Sequence, residues 1–111
     1  MTQTIASLKP FETERDTRSP NRNLAPVTTC LDEQERLMVG GCVLSELAQR
    51  YGTPLYVLDE ETVRGTCRAY REALKQHYPG ESLPVYASKA NSSLLMSSIV
   101  SSEGLGLDAV S

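Results

Sequence analysis

The chain of 111 residues has no tryptophan, one phenylalanine and one histidine. A single histidine, with three cysteines (Cys30, Cys42 and Cys67) that never form a C-x-x-C pair, leaves no ligand set for a Cys/His zinc site, and no metal is expected. The odd cysteine count also argues against a disulfide framework. Reduced thiols are the simplest reading, with Cys67 serving as a small apolar residue. No apolar run approaches the ~20 residues that a membrane-spanning helix needs. Positive charge is not in excess: 11 Lys and Arg stand against 14 Asp and Glu, a net charge of -3. That balance offers no basic face to a nucleic acid or an anionic membrane. The N-terminus lacks the basic-then-apolar layout of a secretory signal, and Glu12, Glu14 and Asp16 are out of place in a transit peptide. A cytoplasmic location is therefore expected.

What is present is an ordinary globular composition, 40% hydrophobic and 23% charged. The length bounds it to one small domain or part of a larger one. Residues 1 to about 35 are polar, broken by Pro10, Pro20 and Pro26, and show no sustained apolar period. They read as a flexible lead without a core of its own. Order is expected from Arg36-Leu37-Met38-Val39, a short strand ended by Gly40-Gly41. The spacing of Leu44, Leu47, Ala48 and Tyr51 predicts a helix, with Gly52 at its C-terminal cap and Pro54 preventing its return. Leu55-Tyr56-Val57-Leu58 reads as a short buried strand. Asp59 then caps a long helix with Glu60 and Glu61 in its first turn and a stripe of Val63, Cys67, Tyr70, Leu74 and His77. Tyr78-Pro79-Gly80 stops it. A strand from Leu83 to Lys89 follows, then a helix capped by Asn91, Ser92 or Ser93 with Leu94, Leu95, Ile99 and Val100 on its apolar face. Gly104 ends that helix, and Leu105 to Ser111 is the last strand. Alternating strands and helices are the pattern of parallel βα units, an α/β fold.

The chemistry concentrates near the C-terminus. Val85, Ala87 and Lys89 share one side of their strand, since side chains alternate faces. Lys89 comes at the strand's C-terminal end, and Asp108 comes late in the next strand. Parallel neighbours share their C-terminal ends, so both side chains should face one mouth. A cation and a carboxylate so placed suggest a Schiff-base lysine beside an electrostatic partner. Burial would move the lysine towards neutrality, which nucleophilic attack on a carbonyl requires, while the carboxylate would pull the other way. Lys89 taken alone would read as a solvated strand-end lysine; only its flanking block argues otherwise. Asp108 reads equally as a helix N-cap. Gly104-Leu105-Gly106 follows a helix, precedes a strand and lacks a third glycine, so it is a helix cap rather than a dinucleotide fingerprint. His77 sits at a helix end with nothing converging on it.

Three blocks carry a family resemblance. Gly40-Gly41, with Ser45-Glu46-Leu47-Ala48 and Tyr51-Gly52-Thr53-Pro54-Leu55-Tyr56-Val57-Leu58-Asp59, is similar to the opening of the diaminopimelate decarboxylases. Tyr86-Ala87-Ser88-Lys89-Ala90-Asn91 resembles their pyridoxal-phosphate lysine block, and Gly104-Leu105-Gly106-Leu107-Asp108-Ala109-Val110-Ser111 the strand after it. The one departure is Ser88, where the family more often has an apolar residue; alternation turns it away from Lys89. Leu37-Met38-Val39 resembles a strand of the family's β-domain. The resemblance implies the N-terminal part of a pyridoxal-phosphate-binding (β/α)₈ barrel, incomplete here. The lead would occupy residues 1–35, the first βα units 36–111, and the C-terminal β-domain would be absent. It implies a carboxy-lyase that converts meso-2,6-diaminopimelate to L-lysine and carbon dioxide. Lys89 would hold the cofactor as a Schiff base, with Ala87 and Asp108 beside it.

In that family the phosphate-binding loop, substrate contacts and a second subunit's contribution lie further along, so a homodimeric parent acting on a small amino acid is expected. Other decarboxylases of the same fold, acting on ornithine, arginine or a carrier-linked substrate, are the nearest alternative. A non-catalytic pyridoxal-phosphate-binding barrel protein is the other. A (β/α)₈ barrel typically takes ~250 residues. The 111-residue chain alone is therefore expected to be catalytically silent and not to fold cooperatively.

Overall fold

Four short strands lead the structure, a computed structural model that describes residues 9–10 and 24–109. The flexible reading of the lead at 1–8 and 11–23, and the last two residues of the expected final strand, lie outside the described residues. The strands are β1 (Lys9–Pro10), β2 (Cys30–Leu31), β3 (Leu37–Val39) and β4 (Cys42–Val43), antiparallel and adjacent in that order. Order thus begins before Arg36, and this first sheet is antiparallel rather than part of a parallel βα series. Two-residue strands have no periodicity of their own; pairing makes them. Cys30 lies opposite Met38, and Met38 opposite Val43, so three buried side chains form one small core.

The β2–β3 turn is built on Asp32, which is buried. Its Oδ1 accepts the Gln34 and Arg36 amides at 2.9 and 2.8 Å, and its Oδ2 accepts Arg36 Nε at 2.7 Å. Burial pushes the Asp32 carboxyl up, but the hydrogen bonds from Arg36 and Gln34 together outweigh it and hold the group below its ordinary value. Arg36 also donates to Glu46 at 2.8 Å.

Helix α1 (Leu44–Tyr51) follows β4 directly. Leu44, Leu47 and Ala48 are half-buried, while Tyr51 is exposed. Gly52 ends the helix as expected, with a φ of +80° and its amide donating to the Ala48 carbonyl at 2.8 Å. Leu55-Tyr56-Val57-Leu58 does not form the expected buried strand: all four are exposed, Tyr56 fully. A β-prone run becomes a strand only against a neighbour, and among the described residues it pairs with none.

The chain divides into two compact units, Met1–Asp59 and Glu60–Ser111. The second holds α2 (Glu60–His77), β5 (Val85–Ala87), a 3₁₀ turn (Ser88–Ala90), α3 (Leu94–Ser102) and β6 (Gly106–Asp108). Strands β5 and β6 are parallel, as the βα pattern predicts, with α3 joining them. The apolar faces are narrower than their periodicity suggests. In α2 only Cys67 is fully buried, and Tyr70 and His77 are exposed. In α3, Ile99 and Val100 are buried, but Leu94 and Leu95 near its start are exposed.

An arginine cluster joins the two helices. Arg64, Arg68 and Arg71 recur along one side of α2 at helical spacing, and all three reach Glu103, just past α3. Arg68 is bidentate, Nε to Oε2 at 2.9 Å and Nη2 to Oε1 at 2.8 Å, and Arg64 Nη1 donates to Oε1 at 2.9 Å. Arg71 Nη1 donates to the Glu103 carbonyl at 2.9 Å. Gly104 follows at a φ of +81°, and a Cβ there would stand 3.6 Å from the Arg71 guanidinium. A side chain at this corner would be strained by the backbone, while meeting the arginine only at ordinary contact distance.

Arg68 first, and then Arg64, hold the Glu103 carboxyl below its ordinary value. A depressed carboxylate contributes stability that is fully present above its unfolded pKa of about 4.3 and is lost as pH falls through the lower folded value. In the full-length natural protein, the urea midpoint of this region should hold from neutral pH to about 5 and fall below about 4.3. Glu103→Gln should lower the neutral-pH midpoint and flatten the acid limb. Parallel acid limbs in the two proteins would show that Glu103 does not carry this linkage.

Candidate functional site

The residues Val85-Tyr86-Ala87, β-branched, aromatic and small, suit a short strand. Its register against β6 is Val85 to Gly106, Tyr86 to Leu107 and Ala87 to Asp108. Ala87 and Asp108, two of the three residues expected at the site, are thus brought opposite each other at the last pair of the ladder. Paired residues of parallel strands project to the same side, so Val85, Ala87 and Asp108 share a face. All three are exposed, and Tyr86 is half-buried.

Lys89 lies two residues beyond the ladder, in the 3₁₀ turn rather than in the strand itself. The extended run predicted to Lys89 stops at Ala87. Ala87 keeps extended angles (φ -75°, ψ 98°), and the chain extends again at Asn91. Lys89 is exposed rather than enclosed. Among the described residues it forms no ion pair, with Asp108 or any other carboxylate. The common mouth is therefore a matter of adjacent strand ends, not of a direct contact.

The turn carrying Lys89 is fastened by side chains that periodicity does not reveal. Ser88 Oγ donates to the Asp108 carbonyl at 2.6 Å, and Tyr86 Oη donates to the Asn91 carbonyl at 3.2 Å. Asn91 Oδ1 accepts the Ser93 amide at 3.1 Å. Ser93 is the residue that caps α3, of the three candidates at that position: its Oγ accepts the Met96 amide at 3.3 Å.

Two cavities lie in the same unit, and the first reaches Ala87 at the edge of this site. An apolar groove of about 450 Å³ lies among α2, α3 and β5, lined in part by Val63, Cys67, Tyr70 and Met96. Neither Lys89 nor Asp108 lines it. Burial, and next the Glu103 charge, push the Cys67 thiol up, which suits an inert packing residue. A polar cavity of about 490 Å³, with Arg71, Lys75 and Tyr78 among its lining, adjoins Ser82 and Pro84. It therefore opens where β5 begins, at the opposite end from Lys89. His77 is exposed, at the last position of α2. Among the described residues, no three His, Cys, Asp or Glu side chains converge as a metal site, and no helix is long and apolar enough to cross a membrane.

No family model matches the chain. Curated relatives are nonetheless clear. The diaminopimelate decarboxylase of Synechocystis sp. is 46% identical over 93 residues, 84% of this chain and 20% of the relative. That of Methanothermobacter thermautotrophicus is 41% identical over 81 residues, 73% of this chain and 19% of its own. That of Actinosynnema pretiosum is 41% identical over 108 residues, 97% of this chain and 23% of the relative. The chain spans about a fifth of the length of the curated relatives it matches.

The cap offers a direct check on how the turn is anchored. Ser93→Ala should destabilise the full-length protein by about 1 kcal/mol in urea unfolding, whereas Ser93→Asn should stay close to the parent. Equal loss in both variants would mean that the hydroxyl is not acting as a cap.

Proposed function

The chain belongs to the diaminopimelate decarboxylase family, and from that membership we propose that it forms part of a pyridoxal-phosphate-dependent carboxy-lyase that converts meso-2,6-diaminopimelate to L-lysine and carbon dioxide. One observation carries the reading. The family-type lysine hexapeptide leaves the sheet where two parallel strands end, with Asp108 in register opposite Ala87. C-terminal ends of parallel strands are where barrel enzymes gather their reactive groups. The β5–α3–β6 unit is accordingly proposed as part of a (β/α)₈ barrel whose inner face bears Val85, Ala87 and Asp108. Residues 36–111 are proposed as the start of that domain, 1–35 as its lead, and the protein as a cytoplasmic homodimer.

The residues present fit the cofactor. Lys89 offers an exposed primary amine at the strand ends. Ala87, the last residue of β5, carries nothing beyond Cβ, so an aromatic ring can lie against the strand end. When bound, pyridoxal phosphate supplies the electron sink for the charge left as carbon dioxide departs. Lys89 would hold the cofactor through its Nζ, a primary amine that can bond to the aldehyde and be released from it by another amine. Once released, the same nitrogen can carry a proton at the mouth. The Asp108 carboxylate favours positive charge at that mouth, an attraction that water weakens at an exposed site and that exclusion of water would strengthen.

In the full-length natural protein, release of carbon dioxide from meso-diaminopimelate should fall by at least about 10³-fold in Lys89→Ala, the scale expected when a covalent nucleophile is removed. Ornithine should not replace the substrate. Turnover retained within tenfold in Lys89→Ala would remove Lys89 from the chemistry.

A further inference from the structure

The hydroxyl of Ser88 occupies a position that the decarboxylase reading leaves without a role. The β5–β6 ladder ends at Ala87 and Asp108, and the backbone turns away at the next residue. In a continuing parallel ladder the Asp108 carbonyl would accept an amide from the neighbouring strand. Here the strand has become a 3₁₀ turn, and the Ser88 hydroxyl makes the bond instead, at 2.6 Å. Ser88 is half-buried as a residue, although the bond itself is open to solvent. On the far side of the turn, Tyr86 Oη holds the Asn91 carbonyl at 3.2 Å. The lysine thus sits in one turn of chain tied at both ends, and the nearer tie joins it to the backbone of Asp108. The hydroxyl bonds the backbone carbonyl of Asp108 rather than its side chain, so it fastens the chain without engaging the carboxylate at the mouth.

We propose that Ser88 is a positioning residue: its hydroxyl replaces the missing ladder bond and fixes the turn that carries Lys89 against the strand end that carries Asp108. The proposal rests on the reading of Lys89 as the cofactor lysine. An apolar side chain at this position, as the family more often has, would leave the Asp108 carbonyl without this bond and the turn less tightly held to the ladder. A misplacement of about 1 Å at a reacting group is enough to lower a rate by up to about 10²-fold, so a single end-of-ladder bond can matter to catalysis while contributing little to folding.

The test uses the full-length natural protein with Ser88→Ala and Ser88→Thr, each freed of cofactor and titrated with pyridoxal phosphate while the visible band of lysine-bound cofactor is recorded. Turnover with meso-diaminopimelate is measured on the reloaded proteins. Ser88→Ala should need several-fold more cofactor for half-saturation and should lose about tenfold in kcat, with KM within about twofold. Ser88→Thr, which keeps the hydroxyl, should stay within about twofold of the parent in all three quantities. A Ser88→Ala protein like the parent would overturn the proposal, as would a Ser88→Thr protein as impaired as Ser88→Ala. Lys89→Ala, titrated alongside, separates the two claims. A visible band that survives in it overturns the cofactor-lysine reading itself, and the Ser88 role with it. Loss of the band there, with Ser88→Ala unchanged, overturns only the role of Ser88.

Discussion

The constraint on which the second unit depends is the capture of Glu103 by α2. Arg64 and Arg68 hold its carboxylate and Arg71 holds its carbonyl, at the corner where α3 gives way to β6. A buried carboxylate without partners is costly, so the three arginines and Glu103 are arranged together or not at all. Fixing that corner fixes where β6 starts. Gly104 takes the positive φ, Leu105 donates to the Val100 carbonyl, Gly106 donates to the Pro84 carbonyl, and the ladder then runs to Asp108 opposite Ala87. The position of the candidate site is thus set about five residues upstream, by an ion cluster that takes no part in its chemistry.

Much of this was legible in the chain. Glu60, Glu61, Gly52 and Gly104 mark helix ends through simple dipole and backbone rules, and the parallel placement of Lys89's strand beside Asp108's follows from the intervening helix. What escaped has a common cause. Strands β2 and β4 have two residues each, too few for any period, and exist because Cys30, Met38 and Val43 pack together. The run Leu55 to Leu58 has the composition of a strand but no partner. Leu94 and Leu95 continue the apolar period of α3 past the point where anything in the unit covers them. The contacts of Ser88 and Glu103 leave no local signal, because their partners lie 20 residues and 32 to 39 residues away. Arg64, Arg68 and Arg71 did leave a signal, a cationic row at helical spacing, but only the buried carboxylate explains it.

The site that results is open. Its amine is exposed, its neighbour Ala87 is small, and its carboxylate lies on the paired strand without touching the amine. These are the properties of a place to which a larger group can be added, with hydrogen bonds from Ser88 and Tyr86 keeping the backbone still. Rigidity comes from the scaffold and accessibility from the exposure of Lys89 and Ala87. A carbonyl-bearing cofactor needs both, a fixed nucleophile and room for a ring.

The central claim is that Lys89 is the residue to which the cofactor is joined. Borohydride reduction of the full-length protein, loaded with pyridoxal phosphate, followed by peptide mapping, tests it most directly. The account predicts a single reduced pyridoxyl label, on the peptide containing Tyr86-Ala87-Ser88-Lys89. A label on Lys75, Lys9 or a lysine outside residues 1–111, with Lys89 unmodified, would contradict it.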